Sequence, residues 1–234
     1  MKPQKLLFYT TKKKLLTLDL DNNCMVALTL RNANLIEARI KHDKKYPPNA
    51  KRVFDKIGKK TDFSFRDFQR IIYQIADDNS THTARPSRDE LARYICLPST
   101  RFFERLAKGD YSLVDDINNH VFTEVTLAQG RKAHILSLSS KLCRYLEEWL
   151  WDKDNFAVYD SVVRNLLPYY IQQRGLKSKV NLEKSTYVQF MAEFNKIYDG
   201  GKIKRHAIDH IIWYSYKDDS IRTAIGVALS KGQN

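Results

Sequence analysis

Cysteine is scarce in this chain. Its 234 residues include three, Cys24, Cys96 and Cys143, far apart, with no C-x-x-C pair and no histidine at zinc spacing beside them. That pattern excludes a disulfide framework, an iron–sulfur cluster and a structural zinc, and fits a reducing compartment. Long apolar runs are missing as well. "LLFY" after Lys5 is typical of the longest, too short for the core of a signal sequence or for a membrane span. There is no internal repeat and no low-complexity tract. Nothing resembles a P-loop, the H-x-E with P-C-x-x-C of zinc deaminases or the carboxylate cluster of a metal nuclease. We expect a soluble, cytoplasmic, nucleoid-associated monomer that needs no metal or cofactor and has no membrane partner.

Acidic residues are the minority charge. Lys and Arg number 40 against 27 Asp and Glu, a formal net charge of +13. The excess is uneven, because residues 1–60 hold 15 cations and 5 anions. A surface of this kind concentrates phosphate-bearing polymers around itself, so nucleic acid is the expected partner. The basic runs "TKKK" and "KHDKK" lie on no strongly amphipathic helix, which argues against a membrane surface.

The predicted elements are mostly helices. Leu16, Leu18 and Leu20, then Val26, Leu28 and Leu30, alternate around a polar "DNNC" and read as a small N-terminal β-hairpin, with a helix the alternative over runs this short. The proline-broken "KKYPPNAKR" at 44–52 divides a basic segment, 1–50, from a helical region, 51–234. In that region Phe65, Phe68, Ile72 and Ile75 have helical spacing. "SRDE" at 87–90 has capping-box form before "LARYIC", and "TRFFERLAK" stops at Gly109. "GDYSLVDDINNH" reads as polar and turn-rich. A long central helix begins near Lys132, and "SVVRNLL", "STYVQFMAEF" and "RHAIDHIIWYSYK" follow as further helices.

Two residues of the central region carry a chemical reading. Taken as a helix, residues 135–149 place an apolar stripe of Ile135, Leu138, Leu142, Tyr145 and Trp149 centred about 90° from Lys141, which therefore borders it. The helix rises about 15 Å from Lys141 to Trp151. "WDKDN" turns the chain, and an extended "FAVY", at about 3.3 Å per residue, is long enough to bring Asp160 back to the level of the lysine. The competing roles are a solvent-seeking surface lysine and a helix N-cap. A cap and a catalytic carboxylate are compatible, since a capping aspartate is rigidly aimed. An amine and a carboxylate in an electropositive cleft suit chemistry at the anomeric carbon of a nucleotide. Partial burial among cations would lower the lysine pKa from its reference of about 10.4 and free the lone pair. The aspartate would stabilise oxocarbenium-like charge as the base leaves.

The stretch that carries this pair, Lys141 followed by Ala157, Val158, Tyr159, Asp160, Ser161, Val163 and Arg164, resembles the helix-hairpin-helix DNA glycosylase superfamily, nearest its 8-oxoguanine glycosylase branch. The iron–sulfur cysteines of the endonuclease III branch are absent. The resemblance covers about 30 residues well. It implies a mainly α fold of two helical subdomains flanking an active-site cleft near 135–165, with Lys141 the Schiff-base nucleophile and Asp160 the assisting carboxylate. It also implies a double-stranded DNA substrate with a damaged or modified base, flipped out of the helix. Tyr145 and Trp149 share the lysine's side of the helix and, with Arg164, are the candidate substrate-binding residues. Lys132, Arg144, Lys204 and Arg205 are the candidate DNA contacts. The family's glycine-rich hairpin before the lysine is absent: those positions read "LSLSS", and the nearest glycine is Gly130. The alternative is a non-catalytic nucleic-acid-binding or phage-related regulatory protein.

Overall fold

The computed structural model describes residues 5–9, 15–20, 25–42, 48–59 and 62–217. It is mainly α, with ten helices among those residues and a single two-stranded hairpin. The chain divides into two compact units, neither of them contiguous in sequence. The first takes Met1–Asp43, Asp160–Asn181 and Glu193–Asn234, and the second takes Lys44–Tyr159 and Leu182–Ala192. The N-terminal segment expected to stand apart is thus grouped with two later stretches.

In the first unit, β1 (Lys5–Tyr9) pairs antiparallel with β2 (Leu15–Asp19). The hairpin therefore pairs β2 with the strand before it. The expected partner after "DNNC" contributes one isolated bridge, Leu20 to Val26, and Leu30 already opens α1 (Leu30–His42). Asn32, fully buried, explains the change. Its Nδ2 donates to the carbonyls of Asp19 and Ala27 at 2.8 Å each, and its Oδ1 accepts the Asp19 N–H at 3.0 Å. One amide side chain thus shares the Asp19 carbonyl with the Ala27 N–H, which donates to it at 2.8 Å, and takes the Asp19 N–H and the Ala27 carbonyl that would extend the pairing. Ala33, Ile36 and Ile40 give α1 its buried side, which packs with α10 (Arg205–Lys217); α10 also meets α8 (Ser161–Gln173). Polar ties cross this core: Tyr170 Oη donates to Val26 O at 3.0 Å, Arg39 Nε donates to Tyr214 Oη at 2.7 Å, and His210 pairs with Glu37.

The second unit is built from α2 (Pro48–Ile57), α3 (Phe65–Asp78), α4 (Arg85–Ile95), α5 (Phe102–Lys108), α6 (Ser112–Glu124) and α7 (Leu136–Trp151). The first part of α9 (Tyr187–Phe194) also belongs to it. Ser64 and Asp67 form a reciprocal capping box at the start of α3, satisfying two of the amide groups a helix N-terminus leaves over. α4 opens two residues before the serine expected to cap it. Pro86 sits in its first turn, where a missing N–H costs nothing, and Ser87 is buried inside the helix. The stretch expected to be turn-rich is α6. Leu113, Val114, Ile117 and Val121 line its buried side, and Asp110 accepts the Ser112 N–H at 3.0 Å where it begins. Gly109, at φ 70°, ends α5 as expected. A cluster of aromatic rings fills the centre, with Trp149 5.2 Å from Phe54 and 5.5 Å from Tyr145 between centroids.

Candidate functional site

α7 opens at Leu136, four residues after Lys132, and little of it faces water: every residue from Leu138 to Glu147 is buried. Lys141 is 6 % exposed. It therefore does not run its ammonium out to water. The Nζ instead donates to Ser137 Oγ at 2.7 Å, one turn back, the direction in which helical side chains lean.

Beyond α7 the chain reverses at Asp152, a left-handed C-cap with φ 52°, and returns as an extended segment with no strand partner. Side chains take several of its backbone groups. Phe156 N–H donates to Glu147 Oε1 at 2.7 Å, Asn155 Nδ2 to Glu147 Oε2 at 3.0 Å, and Tyr159 N–H to Ser140 Oγ at 2.9 Å. Tyr187 Oη takes both backbone groups of Ala157, accepting its N–H at 3.1 Å and donating to its carbonyl at 2.6 Å. The register is dictated by pitch. Ser140 and Glu147 lie two turns apart on one side of the helix, about 10 Å along the axis. The extended run from Phe156 to Tyr159 covers about the same length. Two rungs therefore hold the return antiparallel to α7, the second at the residue before Lys141 in the helix and the residue before Asp160 in the return.

Asp160 itself belongs to the first unit and is the N-cap of α8. Its backbone is extended, and Oδ1 accepts the Val162 N–H at 2.7 Å. Among the described residues Oδ2 accepts no hydrogen bond, so the cap uses one oxygen of the carboxylate.

The other expected site residues are distributed differently. Tyr145 and Trp149, 5 % and 4 % exposed, stack within 7° of parallel, and Tyr145 Oη meets Asn79 Oδ1 at 3.1 Å. They are core residues of the second unit. Arg144, 2 % exposed, pairs with Glu148 at 2.6 Å and lies over the Tyr145 ring. Its guanidinium is taken up inside the unit. Lys132 is exposed, with its Nζ on Thr123 O at 3.0 Å and Thr126 Oγ1 at 3.2 Å. Arg164 is half-buried in the first turn of α8. Lys204 is exposed just before α10, and Arg205 lies 3.8 Å over the Tyr198 ring. The structure thus brings Arg144, Tyr145 and Trp149 together on α7 with Lys141, and Lys204 with Arg205, while Lys132 stands apart.

Glu147 is the residue the sequence reading missed. It is fully buried, and burial pushes its carboxyl up to about 7, against the donors from Phe156 and Asn155 that favour the charged form. Burial also raises the Cys143 thiol well above its usual range, with Glu147 adding to the effect. Its signal in the sequence was the seven-residue spacing from Ser140, which sets both on the side of α7 away from the apolar stripe. Among the described residues no group of histidine, cysteine and carboxylate side chains is placed to hold a metal ion, and no helix is long and apolar enough to cross a membrane. Comparison of the chain with protein-family models, with curated proteins and with solved structures returns no match.

Proposed function

We propose that the protein is a DNA glycosylase, in which Lys141 attacks the anomeric carbon of a damaged or modified nucleotide and Asp160 stabilises the positive charge that develops there. One observation carries this reading, the hydrogen bond from Tyr159 N–H to Ser140 Oγ. It fixes the end of the return segment to the residue that precedes Lys141 on the central helix. The lysine supports the reading in a second way. Its amine is held at Ser137 with little access to water, so less reorganisation is needed to aim it than for a free surface lysine. The aspartate supports it in a third, since capping α8 occupies only Oδ1.

In the proposed step the neutral Nζ donates its lone pair to C1′ as the bond from C1′ to the base nitrogen breaks. That electron pair leaves with the base, which is protonated. The two protons of the amine pass, one to the departing base and one to O4′ as the sugar ring opens, and leave a Schiff base, resolved by water or by elimination of the 3′ phosphate. Asp160 remains ionised throughout and acts on charge alone. Tyr145 and Trp149 are buried in the core of the second unit, and any stacking surface for a flipped base lies elsewhere.

Borohydride trapping on abasic or base-modified duplex DNA tests the proposal. The expected result is a covalent adduct that Lys141→Gln abolishes, with base release that Asp160→Asn slows. Base release at the wild-type rate in Lys141→Gln removes the nucleophile from the reading. Salt-dependent DNA binding with neither adduct nor base release, scored across oxidised and otherwise modified bases, replaces it with a non-catalytic nucleic-acid-binding protein.

A further inference from the structure

We infer that the first unit carries a nucleic-acid backbone surface built from the loop after α8 and the turn before α10, with Arg174, Lys177, Lys179 and Lys202 as its principal contacts. Residues 174–181 and 193–205 hold seven cations and two carboxylates, a net of +5. They form one patch by direct contact. Lys196 Nζ donates to Lys177 O at 2.9 Å and pairs with Glu193 at 2.6 Å, Glu193 accepts the Lys179 N–H at 3.4 Å, and Arg205 Nε donates to Asn195 Oδ1 at 3.2 Å. Gly200 and Gly201, at φ 77° and 114°, turn the chain through backbone that side-chain-bearing residues rarely adopt. The turn leads directly to Lys202.

What marks the patch is where its charges are spent. Glu193 is buried and taken by Lys196, which leaves Asp199 as the exposed carboxylate. Arg174, Lys177, Lys179 and Lys202 are exposed, and among the described residues their side chains form no ion pair or hydrogen bond. In the second unit Arg88, Arg93, Arg101 and Lys108 each rest on a carboxylate, while Arg52, Lys56, Arg66 and Arg70 are exposed like the cations of the patch. Four uncommitted cations around one part-buried pair suit a polymer of regularly spaced phosphates, each neutralised phosphate releasing a condensed counterion. Lys204 and Arg205 extend the same surface, and it offers the phosphate grip that no glycine hairpin before Lys141 supplies. The inference rests on the glycosylase reading only for the choice of duplex DNA.

The test is fluorescence anisotropy of an unmodified duplex, as a function of salt, with the full chain and two variants. In one, Arg174, Lys177, Lys179 and Lys202 are changed to Gln. In the other, Arg88, Arg93, Arg101 and Lys108 are, removing the same formal charge. The slope of log affinity against log salt should fall by roughly 3 to 4 in the first variant, about 0.9 for each phosphate left without its cation. It should move by less than about 1 in the second, while Arg at the three lysine positions of the patch restores binding. Equal reductions in both variants, an unchanged slope in the first, or a wild-type chain that binds anionic vesicles but not duplex DNA overturns the inference. Lys141→Gln separates the two readings. A missing adduct with intact duplex binding is the expected pairing, and patch-dependent binding without any wild-type adduct retains this surface while removing the chemistry.

Discussion

Lysine sits in two opposite settings in this molecule. On α7, Lys141 is 6 % exposed and its amine is aimed by Ser137. In the first unit Lys177, Lys179 and Lys202 stand in solvent with their side chains uncommitted. A nucleophile benefits from being desolvated and held, whereas a phosphate-binding cation benefits from being hydrated, mobile and easily exchanged for a counterion. Under the proposed function the same residue type takes its role from its surroundings, and the chain's +13 net charge bears only on the second of these settings.

The sharpest way to break the comparison is at Lys141. Lys141→Gln is expected to lower base release by about 10³-fold or more and leave unmodified-duplex affinity unchanged, as gel-based base-release and anisotropy assays would record. Asp160→Asn should cost about 10²-fold in base release, with stability near wild type because asparagine caps a helix as well as aspartate does; a thermal melt beside the activity assay reads both. A variant that loses activity and stability together would reduce Asp160 to its cap.

Glu147 extends the comparison to buried acids. Its folded pKa of about 7 lies above the ordinary 4.5, so the protein binds the proton more tightly when folded. Its contribution is fully present below about pH 4.5 and is lost as pH rises through about 7, amounting to a few kcal/mol. Denaturant titrations across that range should show this fall in the wild type and its absence in Glu147→Gln. Ser140→Ala should cost about 1–3 kcal/mol by leaving the Tyr159 N–H unpaired, and should slow base release several-fold with Lys141 intact. At the small end, Lys177→Gln should leave melting unchanged within about 0.5 kcal/mol and lower the salt slope by about 0.9.

How much of this was legible in the sequence depended on which faces were buried. The α5 stop at Gly109, the turn at 151–155 and the capping role of Asp160 follow from local chemistry, and all three stand in the structure. α6 was hidden because its polar residues outnumber the four apolar ones that pack. The hairpin was assigned the wrong second strand because alternation in "MVALTL" says nothing about Asn32 capturing the backbone. Lys141 was read as lying on the border of one apolar stripe. α7 has a second buried face, made of Ser140 and Glu147, and a buried polar face looks the same as a solvated one until its partners are known. That partner is the return segment, which no periodicity announces.

The division of the chain has its own consequence for how the protein comes into being. The backbone passes from one unit to the other at four points, the last between Ala192 and Glu193 within α9. During synthesis the second unit can pack its six helices before residues 182–192 join it, whereas the first waits for α10. The core of the first unit stays open while the ribosome is still building the middle of the chain, so its long-range contacts form late. No single cut yields either unit whole, and the apolar faces of α1 and α8 stay exposed until α10 has emerged to cover them.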